Sequence, residues 1–419
     1  MGRGGTLFIV WILCFARGNS LELELGDELE LGDNPDIYLS VPQLIAKYGY
    51  PVEVHHVTTD DGYILELHRI PHGRKASHSS LHEQNHNTFE NEVTGRMPVF
   101  MQHGLMSSSS SWVLGPVDKA PAYMMANAGY DVWLGNARGN RYSKNHTHLS
   151  PKDKQFWDFS WDEMAEHDIP AVIDYILEET KHSQLYYIGH SMGTTIFYGC
   201  MSSHPEYNKK IKAMFGLGPV ATVKHIISPI KYLAPFANDI HILLNLLGDY
   251  EFLPYNRKYV EWTEFLCTHF RYEKLMCRDA LFFLCGFDAH QFNMTWLPVI
   301  LSHGAEGTST MTVVHYAQEV NTGAFEHYDF GKSENLRRYH QPTPPKYNLK
   351  NVTAPVALIW AQNDWLADPE DIVYLASELP NLVMNVKMPL PDFNHMDFIW
   401  GIDADKLVYK RILKYMKFF

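Results

Sequence analysis

Apolar residues along the chain fall into short blocks, and the blocks alternate between two periods. After the Asp61-Gly62 turn, residues 63–70 alternate between apolar and polar positions, which predicts a half-buried strand. Pro98-Val99-Phe100-Met101 begins a continuous apolar run that predicts a buried strand over 98–105, ending in a turn at His103-Gly104. Residues 130–134, 185–188, 354–360 and 382–386 read as further strands. Between them lie helical patterns. Ser160-Trp161-Asp162-Glu163 has capping-box spacing, and Ile169, Val172, Ile173, Ile176 and Leu177 then recur as one helical stripe. Strands alternating with helices predict an α/β fold on a mostly parallel, doubly wound sheet. Residues 219–347 break the rhythm with apolar helical segments and no clear strand, and read as a helical cap or lid inserted above the sheet.

The N-terminus carries a different signal. Arg3 precedes a ten-residue apolar run over 7–16, and Ala16 and Gly18 are small residues suited to cleavage. This layout is that of a signal peptide, and ten residues are too few to span a bilayer. No later run reaches eighteen, so entry to the secretory pathway without a transmembrane anchor is expected. The sequons at Asn145, Asn293 and Asn351 agree with that route. Residues 19–36 hold seven acids and no base, and read as a loose tail or pro-segment. The expected organisation is therefore a signal peptide at 1–18, an acidic tail at 19–36, a core at 37–218, the cap at 219–347 and the rest of the core at 348–419. Residues 72–96 are polar and contain His72, His78, His82 and His86. The last three could share a helical face, but a solvated insertion between strands accounts for them, and no metal or other cofactor is expected.

Composition narrows the class. Of 419 residues, 46% are apolar and 20% charged, which is globular. A net charge of −13 argues against a nucleic-acid partner. From residue 37 onward the balance is only −8, because the tail holds much of the acidity. The chain has 23 His; charging all of them with carboxylates ionised would take −13 to +10. A surface losing negative charge as pH falls would approach anionic lipid more easily. Five Cys are too few for a disulfide scaffold. Cys14 leaves with the signal peptide. One bridge and two buried thiols are then the simplest arrangement, with Cys267–Cys277 closing a short loop.

Candidate chemistry sits at the carboxyl ends of the strands. Gly189-His190-Ser191-Met192-Gly193 follows the strand at 185–188 and precedes a helix-capable segment. This G-x-S-x-G setting suits a serine held in strained backbone at a helix N-terminus, with glycines where side chains would crowd the turn. A serine needs a base, and in such folds the acid and the His follow it in the chain. Asp364 ends the strand at 354–360, with Asp368 and Asp371 as rivals further into the next loop and helix. His395 is the only His after Asp364. Asp397 lies too close along the chain to orient that ring well. The oxyanion donors would be the N–H groups of Met192, next to the nucleophile, and of Leu105, after an early strand.

These residues resemble the acid lipase family, which includes gastric and lysosomal acid lipases. The resemblance rests on Gln102-His103-Gly104-Leu105, on residues 129–136, on Gly189–Thr195, on Asn363–Pro369 and on Asn394–Trp400, and runs from about residue 35 to the end. It implies an α/β-hydrolase fold and hydrolysis of neutral lipid esters, triacylglycerol or cholesteryl ester, at a lipid–water interface. It carries the triad onto Ser191, Asp364 and His395, the oxyanion donors onto Leu105 and Met192, and the bridge onto Cys267–Cys277. Many members have Gln where this chain has Met192, which leaves the backbone donor but removes a side-chain role. The implied mechanism is a two-step acyl transfer: Ser191 attacks, His395 takes its proton, and water releases the fatty acid. The apolar run at 240–247 could line an acyl pocket, touch lipid or serve as plain cap core. The alternatives are a non-catalytic lipid binder, a serine peptidase on the same fold and an esterase for smaller esters. Oligomeric state is not legible.

Overall fold

The computed structural model describes residues 34–74, 95–236, 248–258 and 271–419, with residues 239 and 261. The expected signal peptide, most of the acidic tail, His78, His82, His86, the run at 240–247 and Cys267 lie outside the described residues. The main sheet comprises β1 (Glu53–Thr58), β2 (Tyr63–Ile70), β3 (Pro98–Gln102), β4 (Asp131–Leu134), β5 (Leu185–His190), β6 (Ile211–Leu217), β7 (Val356–Trp360) and β8 (Leu382–Lys387). Their spatial order is β1-β2-β4-β3-β5-β6-β7-β8. β1 and β4 flank β2 in antiparallel pairings, and from β4 onward every pairing is parallel. Asn145–His146 adds a short antiparallel strand beside β2.

β3, β4 and β5 are buried along their whole length, as expected of central strands covered on both faces. Two strands do not emerge from the hydrophobic pattern. β1 is an edge strand with only Val57 buried, so its Glu-Val-His-His-Val-Thr sequence lacks alternation. β6 is buried except at Lys212, but Lys212 and Gly216 interrupt its apolar run.

Helices cover both faces. On one face, α1 (Pro121–Asn127) and the C-terminal helix pack with Tyr123, Met125, Ile412 and Met416 in the core. On the other lie α2 (Ile169–Thr180) and α3 (Met192–Ser203), with Ile169, Ile173, Ile176, Ile196 and Phe197. The capping box at Ser160 forms: Ser160 N–H donates to Glu163 Oε2 (2.6 Å), and Ser160 Oγ accepts from Asp162 N–H (3.1 Å). A π-type turn over Met164–Asp168 intervenes before α2.

The chain between β6 and β7 contains α4 (Arg271–Cys285) and α5 (Thr310–Thr322). Contrary to the strand-free expectation, Glu251–Phe252 pairs with Thr308–Ser309. A two-residue ladder is too short to carry a periodic signal. Val220, Ala221 and Val223 at one end of this segment, and Phe325 and Tyr347 at the other, share the core beneath the sheet, so its ends are fused to it. At the N-terminal side, Asp36 is buried and bonded by Lys47 and Tyr48. Cys277 is disulfide-bonded, and Cys200 and Cys285 are free and buried. Among the described residues no helix is long and apolar enough to cross a membrane.

Candidate active site

β5 delivers Ser191 into a sharp turn before α3. Its backbone has φ 52° and ψ −122°, a sparsely populated conformation for a residue with a side chain. The turn is held by Ser191 N–H on Leu217 O (3.1 Å) and by Thr194, whose N–H and Oγ–H both donate to Ser191 O (2.8 and 2.7 Å). The flanking glycines are sterically required. A Cβ at Gly189 would stand 2.8 Å from Gly193 O, and one at Gly193 would strike Gln102 O.

The loop after β7 carries Asp364, which is fully buried. Its Oδ1 accepts from Leu366 N–H (2.9 Å) and Ala367 N–H (2.8 Å), and its Oδ2 accepts from His395 Nδ1 at 2.7 Å. This arrangement fixes the tautomer and leaves Nε2 as the basic nitrogen. His395 Nε2 is buried and makes no hydrogen bond to the protein. The rival acids are engaged elsewhere. Asp368 caps the helix Pro369–Glu378 through Glu370 N–H (2.8 Å), and Asp371 receives Thr222 Oγ–H (2.8 Å) and His225 N–H (2.9 Å). Asp397 accepts from Asn394 N–H (2.7 Å) and braces the His395 loop; burial first, then neighbouring Asp288, pushes its carboxyl up to about 8.

The turn after β3 lies against Ser191, the candidate nucleophile. A Cβ at Gly104 would stand 3.0 Å from Ser191 Cβ, so the Leu105 amide is one peptide bond from that contact. His103 locks the turn. Its Nδ1–H donates to Gly104 O (2.8 Å), its Nε2 accepts from Ala137 N–H (3.1 Å), and burial pushes the ring down to about 4. Met192, the other expected donor, is the first residue of α3, at the positive end of the helix dipole.

The contacts of four further residues were not legible in the sequence. Gly218 (φ +51°) follows β6, and a Cβ there would stand 3.0 Å from both Asp364 Oδ2 and His395 Nδ1. His190 donates from Nε2 to His395 O (3.0 Å), its ring 4.7 Å from that of His395; burial holds it well below the usual histidine range. Asn363 and Asn394 immediately precede Asp364 and His395, the candidate acid and base. Each acts through a contact between segments far apart in the chain, which no local motif encodes.

Among the described residues, Asp60, Asp61 and His167 group three ligand-type side chains. Arg138 already engages Asp61 (2.6 Å), so ion pairing accounts for the cluster.

Comparison with known proteins sets this geometry in a family. Residues 41–116 match the partial alpha/beta-hydrolase lipase region, and residues 97–243 match the alpha/beta hydrolase fold. The chain is 40% identical over 389 residues to gastric triacylglycerol lipase of Bos taurus, covering 92% of this chain and 93% of that protein. The chain belongs to the acid lipase family. It is also 41% identical over 384 residues to Lipase lipl-1 of Caenorhabditis elegans (91% and 92% covered), and 40% identical over 387 residues to human lysosomal acid lipase/cholesteryl ester hydrolase (92% of each). A solved structure of a putative lipase from Sulfolobus solfataricus superposes with a TM-score of 0.51 at 13% identity, covering 88% of this chain and 99% of that one. That likeness speaks to the fold alone. This acid lipase family member is thus a hydrolase of the α/β class, with its strained serine, oriented imidazole and buried carboxylate on the loops at the carboxyl ends of the parallel strands.

Proposed function

We propose that the protein hydrolyses neutral lipid carboxylic esters, triacylglycerol or cholesteryl ester, through an acyl-enzyme on Ser191. The observation that carries this reading is the 2.7 Å Asp364–His395 bond, with the His395 ring 4.7 Å from that of His190, the residue before a serine in strained backbone geometry. His395 takes the Ser191 proton through Nε2 as the hydroxyl attacks the ester carbonyl. Asp364 stabilises the imidazolium, and the N–H groups of Leu105 and Met192 receive the oxyanion. His395 then returns the proton to the leaving alcohol. Water, deprotonated by the same ring, releases the fatty acid in the second half.

A lipid substrate is supported by the apolar rim near the Asp364 loop. Ile227, Ile230, Tyr232, Phe236 and Phe287 are exposed, and Ile227 and Ser228 N–H groups donate to Trp365 O (3.1 and 3.0 Å). Exposed apolar side chains in such concentration mark interaction with a partner or a lipid phase. The cap at 219–347 would cover the acyl chain, with Cys277 bridged to Cys267. A secreted or lysosomal destination follows from residues 1–18 read as a signal peptide. Of the sequons, Asn145 is exposed, whereas Asn351 spends its Nδ2 on Ser202 O (3.1 Å); glycan occupancy should favour Asn145.

The test is turnover of emulsified triacylglycerol, cholesteryl ester and a short p-nitrophenyl ester between pH 4 and 8, with Ser191→Ala as control. Loss of all three in the variant is expected. Residual hydrolysis in Ser191→Ala sinks the mechanism, and a wild-type chain that takes up no fluorophosphonate at Ser191 would be a lipid binder instead.

A further inference from the structure

Three consecutive backbone carbonyls at the end of α4 hold the loops that carry the acid and the base. Cys285 O accepts from the N–H of His395 and from that of Trp365, the residue after Asp364 (both 3.4 Å). Gly286 O accepts from Asn394 Nδ2 (2.9 Å). Phe287 O accepts from Asn363 Nδ2 (3.0 Å). The residues immediately before Asp364 and His395 are thus both Asn, and both reach adjacent carbonyls of one turn.

The turn is built for that approach. Gly286 has φ +107°, and a Cβ there would strike Asn363 O and lie 3.1 Å from Asn394 Cβ. Each amide makes further bonds, and that of Asn363 ties the Asp364 loop directly to the loop that carries His395. Asn363 Nδ2 donates to Asp392 O (2.7 Å), and its Oδ1 accepts from Trp365 Nε1 (3.1 Å). Asn394 is fully buried, and its Oδ1 accepts from the N–H groups of Met396 (2.8 Å) and Asp397 (3.2 Å). A primary amide offers two N–H donors on one atom and an accepting oxygen on another, which suits this double duty.

We propose that Asn363 and Asn394 are positioning residues that register Asp364 and His395 against the Cys285–Phe287 turn, so that the long insertion between β6 and β7 supplies the template for the acid–base pair. The proposal rests on the esterase reading given above. The loops after β7 and β8 each bring one partner, and neither strand fixes the distance between them. The insertion binds both loops at once, and the Asn363–Asp392 bond ties them to each other beside it. A shift of α4 therefore moves acid and base together, and a break at either Asn lets one drift from the other. Such small misplacements of reacting groups are costly in rate.

The experiment compares Asn363→Ala, Asn394→Ala and Gly286→Ala with wild type in the full chain, using soluble p-nitrophenyl butyrate. Competent sites are counted by fluorophosphonate titration, and folding is followed by thermal melts. Asn363 is the more exposed of the two and serves if Asn394→Ala does not fold. The expected result is a kcat per titrated site about 10-fold or more below wild type, with KM within about 2-fold. A full complement of slowly labelled sites should accompany it. Wild-type kcat per titrated site in Asn363→Ala, with activity lost only in proportion to unfolded protein, would overturn the proposal. Failure of the esterase reading looks different, because the wild-type chain would then neither label nor turn over.

Discussion

Replacing Gly218 with Ala tests how tightly the fold holds the acid–base pair. The new Cβ would lie 3.0 Å from Asp364 Oδ2, 3.0 Å from His395 Nδ1 and 3.1 Å from His395 Cε1, directly on the 2.7 Å bond between them. Ordinary contacts begin near 3.4 Å, so the pair must separate or the backbone must move by several tenths of an ångström. A hydrogen bond to a charged group contributes about 1.5–3 kcal/mol. At 1.36 kcal/mol per decade, losing it lowers kcat by roughly 10- to 100-fold. Ala in the left-handed region adds about 1–2 kcal/mol of backbone strain, which lowers the melting temperature without touching the chemistry. Gly115 separates the two effects: its φ is +116°, and no atom lies within 4 Å of the Cβ position. Turnover of p-nitrophenyl butyrate per fluorophosphonate-titrated site is the assay. Gly218→Ala should lose kcat with KM little changed, and Gly115→Ala should lose stability alone. A Gly218→Ala enzyme within 2-fold of wild-type kcat would refute the steric argument.

Three further outcomes are expected. Ile173 is fully buried in the α2 face of the core, so Ile173→Ala should destabilise by about 2–5 kcal/mol with kcat per folded site unchanged, measured by denaturant titration. Asp397, raised by burial and by Asp288, contributes stability that is complete below its unfolded value near 4 and is lost as pH rises through about 8; melting temperature should fall across that range, and Asp397→Asn should flatten the fall. His103 has the opposite slope: its buried neutral ring contributes above about pH 6.5 and loses that contribution as pH drops through about 4, so His103→Gln should show a weaker acid-side loss of stability in the same melts.

What could be read from the sequence was what lies contiguous in it. The elbow at Gly189–Gly193, the acid in the loop after β7 and the single downstream His each announce themselves within a few residues. The mostly parallel character of the sheet followed from alternation of strand and helix. The edge strand β1 did not, because one buried residue in six leaves no period to detect. β6 was hidden by Lys212 and Gly216, and it is the strand that delivers Gly218 to the acid–base pair. The Cys285–Phe287 turn touches loops 76 and 108 residues away in the chain. Its carbonyls have no side-chain identity, so nothing in the residue types advertises the contact.

The histidine arithmetic changes most on folding. Full protonation would carry the net charge from −13 to +10, but that sum treats every ring as exposed. His68, His103, His190 and His315 are buried, and burial lowers each below the usual histidine range. Their rings are structural struts: His68 joins Ser109 Oγ to Glu66 Oε1 (both 2.8 Å), and His315 joins Ser160 Oγ (3.1 Å) to Glu326 O (2.9 Å). His327 goes the other way, because Asp162 outweighs the burial penalty and raises it. The surface still loses negative charge in acid, though by less than the count implies. Position matters more than number at the active site. His190 lies against His395, and a second positive ring there would oppose the imidazolium that His395 must become when it takes the Ser191 proton. Burial that keeps His190 neutral in mild acid removes that opposition, while its Nε2–H still holds the His395 carbonyl in place.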